Sequence, residues 1–178
     1  VHDFMVTDQH IIFPIFPLTI DFDRAVKGQS PIAWDPDKGT HVGVMPRDGT
    51  VQDIQWFDNE AKYVFHPMNA YTKDGKIIAD VMQFEEAPLF PHADGAKGDP
   101  KKAEARLNRW EINLESNSRS FKSDYLDENM GEFPRLDERL STLEYRHGYY
   151  ASGIGELPDG YSFNSIVHHD HVKGSKES

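Results

Sequence analysis

Apolar and β-branched residues fall in short runs along the whole chain, many of them closed by Gly, Pro or Asp. Runs at residues 2–7, 11–16, 41–45, 54–57, 107–114, 120–125, 145–152 and 161–168 predict strands, because alternating or β-branched stretches of this length fit a pleated surface. The clearest unit is a hairpin with arms at 63–71 and 76–84 around Thr72-Lys73-Asp74-Gly75. Asp-Gly tolerates the positive φ angles that a tight reversal needs. Asp37-Lys38-Gly39, Asp48-Gly49 and Asp159-Gly160 mark further turns. One helix is predicted at 101–106, with Asp99 as its cap and Pro100 in its first position. Residues 88–100, rich in Gly, Pro and Asp, predict a long surface loop. Short strands at this spacing imply an all-β sandwich, barrel or propeller.

Charge narrows the partners. The 178 residues carry 30 acidic and 19 basic side chains, a net charge of −11. Such a surface repels phosphate backbones, so no nucleic-acid partner is expected. Lys173 and Lys176 are too few to form a basic tail. The longest apolar run, 11–20, is interrupted by Pro14 and Pro17 and is too short to span a bilayer, so no transmembrane segment is expected. No signal peptide opens the chain. It begins at Val1 and its first methionine is Met5, so a natural start lying upstream is expected. There is no cysteine. Disulfides, thiolate metal sites and cysteine nucleophiles are excluded. A reducing, cytoplasmic location is compatible with this and is the expectation, and the length suggests one domain.

Without thiolates, a transition-metal site must use imidazole and carboxylate, ligands that suit iron, zinc or copper. Nine histidines are available. In His168-His169-Asp170, neighbouring side chains on a strand point to opposite faces, so His168 and His169 do not share a metal readily, whereas His169 and His171 would. A polar edge leading into the tail is the plainer reading of that segment. His2 and His66 lie in apolar predicted strands, and an imidazole buried there needs a hydrogen-bond partner or a metal.

The wording of four segments resembles the carotenoid cleavage oxygenase family. His2-Asp3-Phe4, followed by Thr7 and an apolar strand, resembles the stretch around that family's second iron ligand. Phe65-His66-Pro67-Met68-Asn69-Ala70-Tyr71 resembles the stretch around its third. Gly131-Glu132-Phe133-Pro134-Arg135-Leu136-Asp137 is similar to the segment whose glutamate supports an iron-bound histidine, and Tyr145-Arg146-His147-Gly148-Tyr149 to the aromatic strand after it. The segments occur in the family's order, and the separation of His2 and His66 leaves room for one blade and a loop.

The resemblance implies a seven-bladed β-propeller of which residues 1–178 are a single partial domain, about three blades from its centre. It implies Fe(II) as cofactor, with His2 and His66 as two of four histidine ligands and Glu132 as the carboxylate that orients one of them. The remaining two ligands and the residues that orient substrate lie outside this chain. His147 stands where the family often has tyrosine and receives no metal role. The implied reaction is cleavage of a carbon–carbon double bond by O2 to two carbonyl products. The wording is most similar to the lignostilbene- and resveratrol-cleaving branch, which implies a small hydrophobic aromatic alkene and O2 as partners and two aldehydes as products. Phe90 is the candidate for a substrate-contacting wall residue. Three alternatives stay open: an apocarotenoid-cleaving oxygenase, a non-catalytic propeller-type binding module, and a zinc hydrolase built on His169 and His171. No His-Glu-x-x-His helix supports the last.

Overall fold

The computed structural model describes residues 1–153 and 163–177. Asp159-Gly160 and the start of the strand expected at 161–168 lie outside the described residues. Thirteen strands and one short helix follow one another: β1 (Met5–Val6), β2 (His10–Ile15), β3 (Leu18–Ile20), α1 (Phe22–Val26), β4 (Ile32–Trp34), β5 (Thr40–Pro46), β6 (Gln55–Asn59), β7 (Tyr63–Lys73), β8 (Lys76–Phe84), β9 (Arg106–Asn113), β10 (Lys122–Leu136), β11 (His147–Ser152), β12 (Ser165–Asp170) and β13 (Gly174–Glu177). Every strand pairing is antiparallel.

Eleven of these strands make three four-stranded units, and β3 and β4 pair as a separate two-stranded sheet. The first has the order β1-β2-β5-β6. The second and third form one ribbon, β7 through β13 in sequence order, because β10 belongs to both. Residues Lys122 to Met130 of β10 pair with β9, and Gly131 to Leu136 pair with β11. Prolines sit where a missing N–H is tolerated. Pro67 lies between two register shifts in β7, and Pro134 lies in the register shift of β10. Pro14 lies beyond the part of β2 that short β1 covers.

Two apolar cores hold the units face to face. Met5, Ile12, Val42, Val44 and Phe57 of the first unit meet Val64, Ile77, Val81, Trp110 and Ile112 of the second. Tyr63, Met68, Tyr71, Met82, Phe84 and Leu107 of the second meet Tyr145, Tyr150 and Val167 of the third. The middle sheet is therefore covered on both sides. This explains why β8 is buried at every residue from Ile77 to Phe84; its near-continuous apolar run is that of a sandwiched strand. Two polar groups at the centre of the middle sheet are paired. Trp110 Nε1 donates to Gln83 Oε1 at 2.8 Å, and fully buried Asp80 accepts from Arg109 and Tyr145.

Most expected strands lie within two or three residues of their places. The hairpin closes on Asp74 and Gly75, with φ of 50° and 72°, so β7 runs on to Lys73. Some expectations fail. The strand expected at 2–7 is only Met5–Val6, so His2 sits in a segment that precedes β1 and is exposed in this chain. Residues 100–103 form a single turn on Asp99 and no helix: Asp99 Oδ1 accepts from Lys101 N–H at 3.0 Å, but Lys102 already bonds in the three-residue pattern. The helix is instead α1, capped by Asp21. The polar edge expected around His168–Asp170 is an interior strand, because β13 pairs along it and buries His169 and Asp170.

Candidate metal centre and cleft

Irregular backbone aims the candidate residues. The register shifts around Pro67 break the alternation of β7 and leave His66 half-buried beside the end of the sheet. In β10 the shift between Glu132 and Arg135 inserts one extra residue opposite β11. Phe133 takes a left-handed φ of 56° there. Bulges of this kind redirect side chains next to functional sites. Here the bulge turns Glu132 inward, where it is 7% exposed. Gly131 is required just before it, since a Cβ would lie 2.3 Å from the Tyr150 ring and 2.6 Å from the Ala151 carbonyl oxygen.

His2, His66 and Glu132 come together. The two imidazoles are nearly perpendicular, at 88°, with centroids 5.1 Å apart. His2 Nδ1–H donates to the Phe65 carbonyl at 3.1 Å, and His66 Nδ1–H donates to Glu132 Oε2 at 2.7 Å. Both bonds are to oxygens that accept, so the neutral form of each ring carries its proton on Nδ1 and leaves the Nε2 lone pair open. Phe133 N–H also donates to Glu132 Oε2, at 2.6 Å, while Oε1 is buried without a partner. Burial pushes the Glu132 carboxyl above its usual range, against the pull of the Phe133 N–H and of His66.

This donor set fits a cation. Two neutral imidazoles with open Nε2 atoms are ordinary first-row metal ligands, and bonds of about 2 Å to one ion would set their centroids roughly 5 Å apart. A carboxylate that orients a ligating ring through its other nitrogen is the usual support for such a site. Among the described residues no cluster of three or more His, Cys, Asp or Glu could hold a metal ion.

The pair lies on the floor of an open cleft of about 650 Å³. Its walls are apolar, with Phe65 and Phe84 on one side and Met130 and Phe133 on another. The long loop between β8 and β9 supplies Pro88, Leu89 and Ala103. That loop is tied down twice. Trp34 exchanges backbone bonds with Pro91 and Ala93 at 2.8 and 2.7 Å. Glu86 accepts from Asp99 N–H, His92 Nε2–H and Lys102 Nζ at 3.0, 3.2 and 3.2 Å. Phe90 packs on Tyr63, 6.4 Å between centroids, and lies outside the cleft lining; its neighbour Leu89, with φ of 70°, lines it. Nothing in the spacing of aromatic residues distinguishes the two. Glu104, also in the lining, escaped the sequence reading because it looks like any loop glutamate.

The other histidines lie elsewhere. His147 and His168 bond to each other at 3.0 Å on the outer face of the third unit. His169 Nδ1 contacts Ser175 Oγ at 2.8 Å. His171 Nδ1 accepts from Arg109 at 3.3 Å, and its Nε2 faces Asp80 at 3.4 Å without hydrogen-bond geometry. Both His171 nitrogens are thus turned toward protein groups, which leaves the His169–His171 pair poorly placed to bind zinc.

Comparison with known proteins identifies the family and the fold. A family model described as retinal pigment epithelial membrane protein matches residues 1–178. An isoeugenol monooxygenase from Pseudomonas putida is 40% identical over 151 residues, covering 84% of this chain and 31% of that protein. Lignostilbene-alpha,beta-dioxygenase isozyme III from Sphingomonas paucimobilis is 34% identical, covering 100% of this chain and 39% of that protein. The crystal structure of Pseudomonas brassicacearum lignostilbene dioxygenase superposes with a TM-score of 0.88 at 32% identity, covering 99% of this chain and 39% of that one. The matched stretches thus span 31% to 39% of the length of these proteins. Among the described residues no helix is long and apolar enough to cross a membrane. The chain belongs to the retinal pigment epithelial membrane protein family of carotenoid-cleavage-type oxygenases, and its three four-stranded units are part of that family's seven-bladed β-propeller.

Proposed function

We propose that residues 1–178 are the central portion of an Fe(II)-dependent oxygenase that cleaves the central double bond of a stilbenoid with O2, giving two aldehydes. The observation that carries this reading is the convergence of His2 and His66, Nε2 atoms open, beneath an apolar cleft. The names of the relatives support the substrate class, since lignostilbene and isoeugenol both present a double bond conjugated to a phenolic ring. In this reading His2 and His66 hold the iron together with two histidines outside the chain. Iron, when bound, supplies the activation of O2 for attack on the alkene.

The chain's own residues do the rest. The Phe65 carbonyl and Glu132 fix both imidazole tautomers, so no ligand nitrogen has to lose a proton when a cation arrives. The second oxygen of Glu132, buried and unpartnered, contributes negative charge beside a site whose ligands are neutral. Phe65, Phe84, Leu89, Met130 and Phe133 exclude water and hold a flat aromatic substrate by burial. Phe90 acts from behind, seating the loop against Tyr63. The test is incubation of the full iron-loaded polypeptide carrying this chain with a 4-hydroxystilbene in ¹⁸O₂, with analysis of aldehydes by mass spectrometry. Two labelled aldehydes in equal amounts are expected. Iron-replete protein that leaves every aryl alkene intact refutes the reading.

A further inference from the structure

Among the described residues that line the cleft, apart from the His2, His66 and Glu132 floor, each is apolar or a glycine with one exception. That exception is Glu104. Its carboxylate is held in place: Oε2 accepts from Arg106 Nη2 at 2.8 Å, and Arg106 is itself fixed by its Nε bond to the Glu128 carbonyl at 3.1 Å. Among the described residues no hydrogen bond to Glu104 Oε1 occurs. The side chain is 38% exposed, so it is open to the cleft without being free in solvent. Gly131 N–H bonds to the Ala105 carbonyl at 2.9 Å, so the chain that carries Glu104 runs beside the Gly131–Glu132 segment.

We propose that Glu104 is a specificity-determining residue, accepting a hydrogen bond from a phenolic hydroxyl on the ring of the substrate that lies along this wall. The assignment rests on reading the cleft as the substrate site. It selects a hydroxyaryl alkene over a hydrocarbon. A ring without a hydroxyl would strip water from Glu104 and return nothing, and sites built to bond a hydroxyl reject analogues that lack it for this reason. Arg106 acts through Glu104 as a positioning residue.

The experiment measures binding, by quenching of intrinsic fluorescence, of a 4-hydroxystilbene and its methyl ether to the full polypeptide carrying this chain. Glu104→Ala should weaken the phenol by roughly 10- to 100-fold, the usual effect of losing a hydrogen bond to a charged group, and bind the ether as tightly as the parent or more so. Glu104→Gln keeps the shape and a neutral acceptor, so a loss of about 5-fold for the phenol alone is expected; it carries the comparison if the alanine variant does not fold. Equal weakening of both probes, or of neither, overturns the assignment. Cleavage assays on the same samples separate it from the oxygenase reading: selective loss of phenol binding in protein that cleaves no alkene sustains the role of Glu104 and refutes the reaction.

Discussion

Replacing Asp80 by asparagine should cost the fold about 3 kcal/mol. Asp80 lies in the middle of β8 with no exposed surface. Its oxygens accept from Arg109 Nε and Nη2 at 2.8 and 2.9 Å and from the Tyr145 hydroxyl at 2.7 Å. The Arg109 bonds join β8 to β9 within the middle sheet, and the Tyr145 bond ties that sheet to the segment leading into β11. Asparagine keeps the shape but removes the charge, and its amide N–H₂ faces a donor. Removing one partner of a buried ion pair usually costs about 3–5 kcal/mol, because the other charge is left uncompensated. The Arg109 side chain is 23% exposed, so water offsets part of that and the lower end applies. Urea denaturation at pH 7, followed by circular dichroism, reads the change. With a slope of about 2 kcal/mol/M, the midpoint should fall by about 1.5 M at unchanged slope. The double variant Asp80→Leu with Arg109→Met should recover much of the loss, since apolar replacement of a whole buried pair is often close to neutral. A loss below about 1 kcal/mol for Asp80→Asn would show that the pair is not the tie described here.

Three further outcomes follow from other sites. Burial, with Arg109 alongside and against the pull of Asp80, lowers His171 from its ordinary 6.5 to about 4. The unfolded chain then binds a proton that the folded chain refuses, so stability is constant above about pH 6.5 and falls between there and about pH 4. The loss is at most about 3 kcal/mol, and urea midpoints at pH 7 and pH 4.5 should differ less in His171→Gln than in the parent. Gly131→Ala forces a methyl onto Tyr150 and the Ala151 carbonyl; a loss of about 1–3 kcal/mol is expected in thermal melts, and an unchanged melt contradicts the packing. Glu132→Gln in the full iron-loaded polypeptide should weaken iron roughly 10- to 100-fold in chelator competition, whereas unchanged affinity means that the carboxylate does not support the ligand.

What the sequence discloses and what it conceals have physical causes. The β7–β8 hairpin is plain because Asp74-Gly75 is nearly the only chemistry that fits its turn. β10 is half hidden: the expected strand stops at Tyr125, whereas the observed one runs on to Leu136 through a bulge at Pro134 and a Gly131 packed against Tyr150. His2 was legible only through the wording around it. The residue is outside regular structure and its partner is a backbone carbonyl, which leaves no periodic trace. Glu132 was legible in the same way, and its pairing with His66, 66 residues away, is a property of the fold. Leu89 and Glu104 could not be singled out, since loop geometry alone decides which side chains reach the cleft.

The sharing of β10 bears on how the molecule opens. No linker separates the second and third units; a single 15-residue strand is the last of one and the first of the other. Neither can unzip along that strand without stripping its neighbour of a hydrogen-bonded edge, so the smallest cooperative unit is a pair of blades. Slow amide hydrogen exchange should therefore run unbroken from β9 across β10 into β11, and Glu132, placed just past the crossing, inherits the kinetic protection of both sheets. The first unit shares no strand with the second and is connected along the chain to β7 by residues 60–62, so its amides are expected to exchange first.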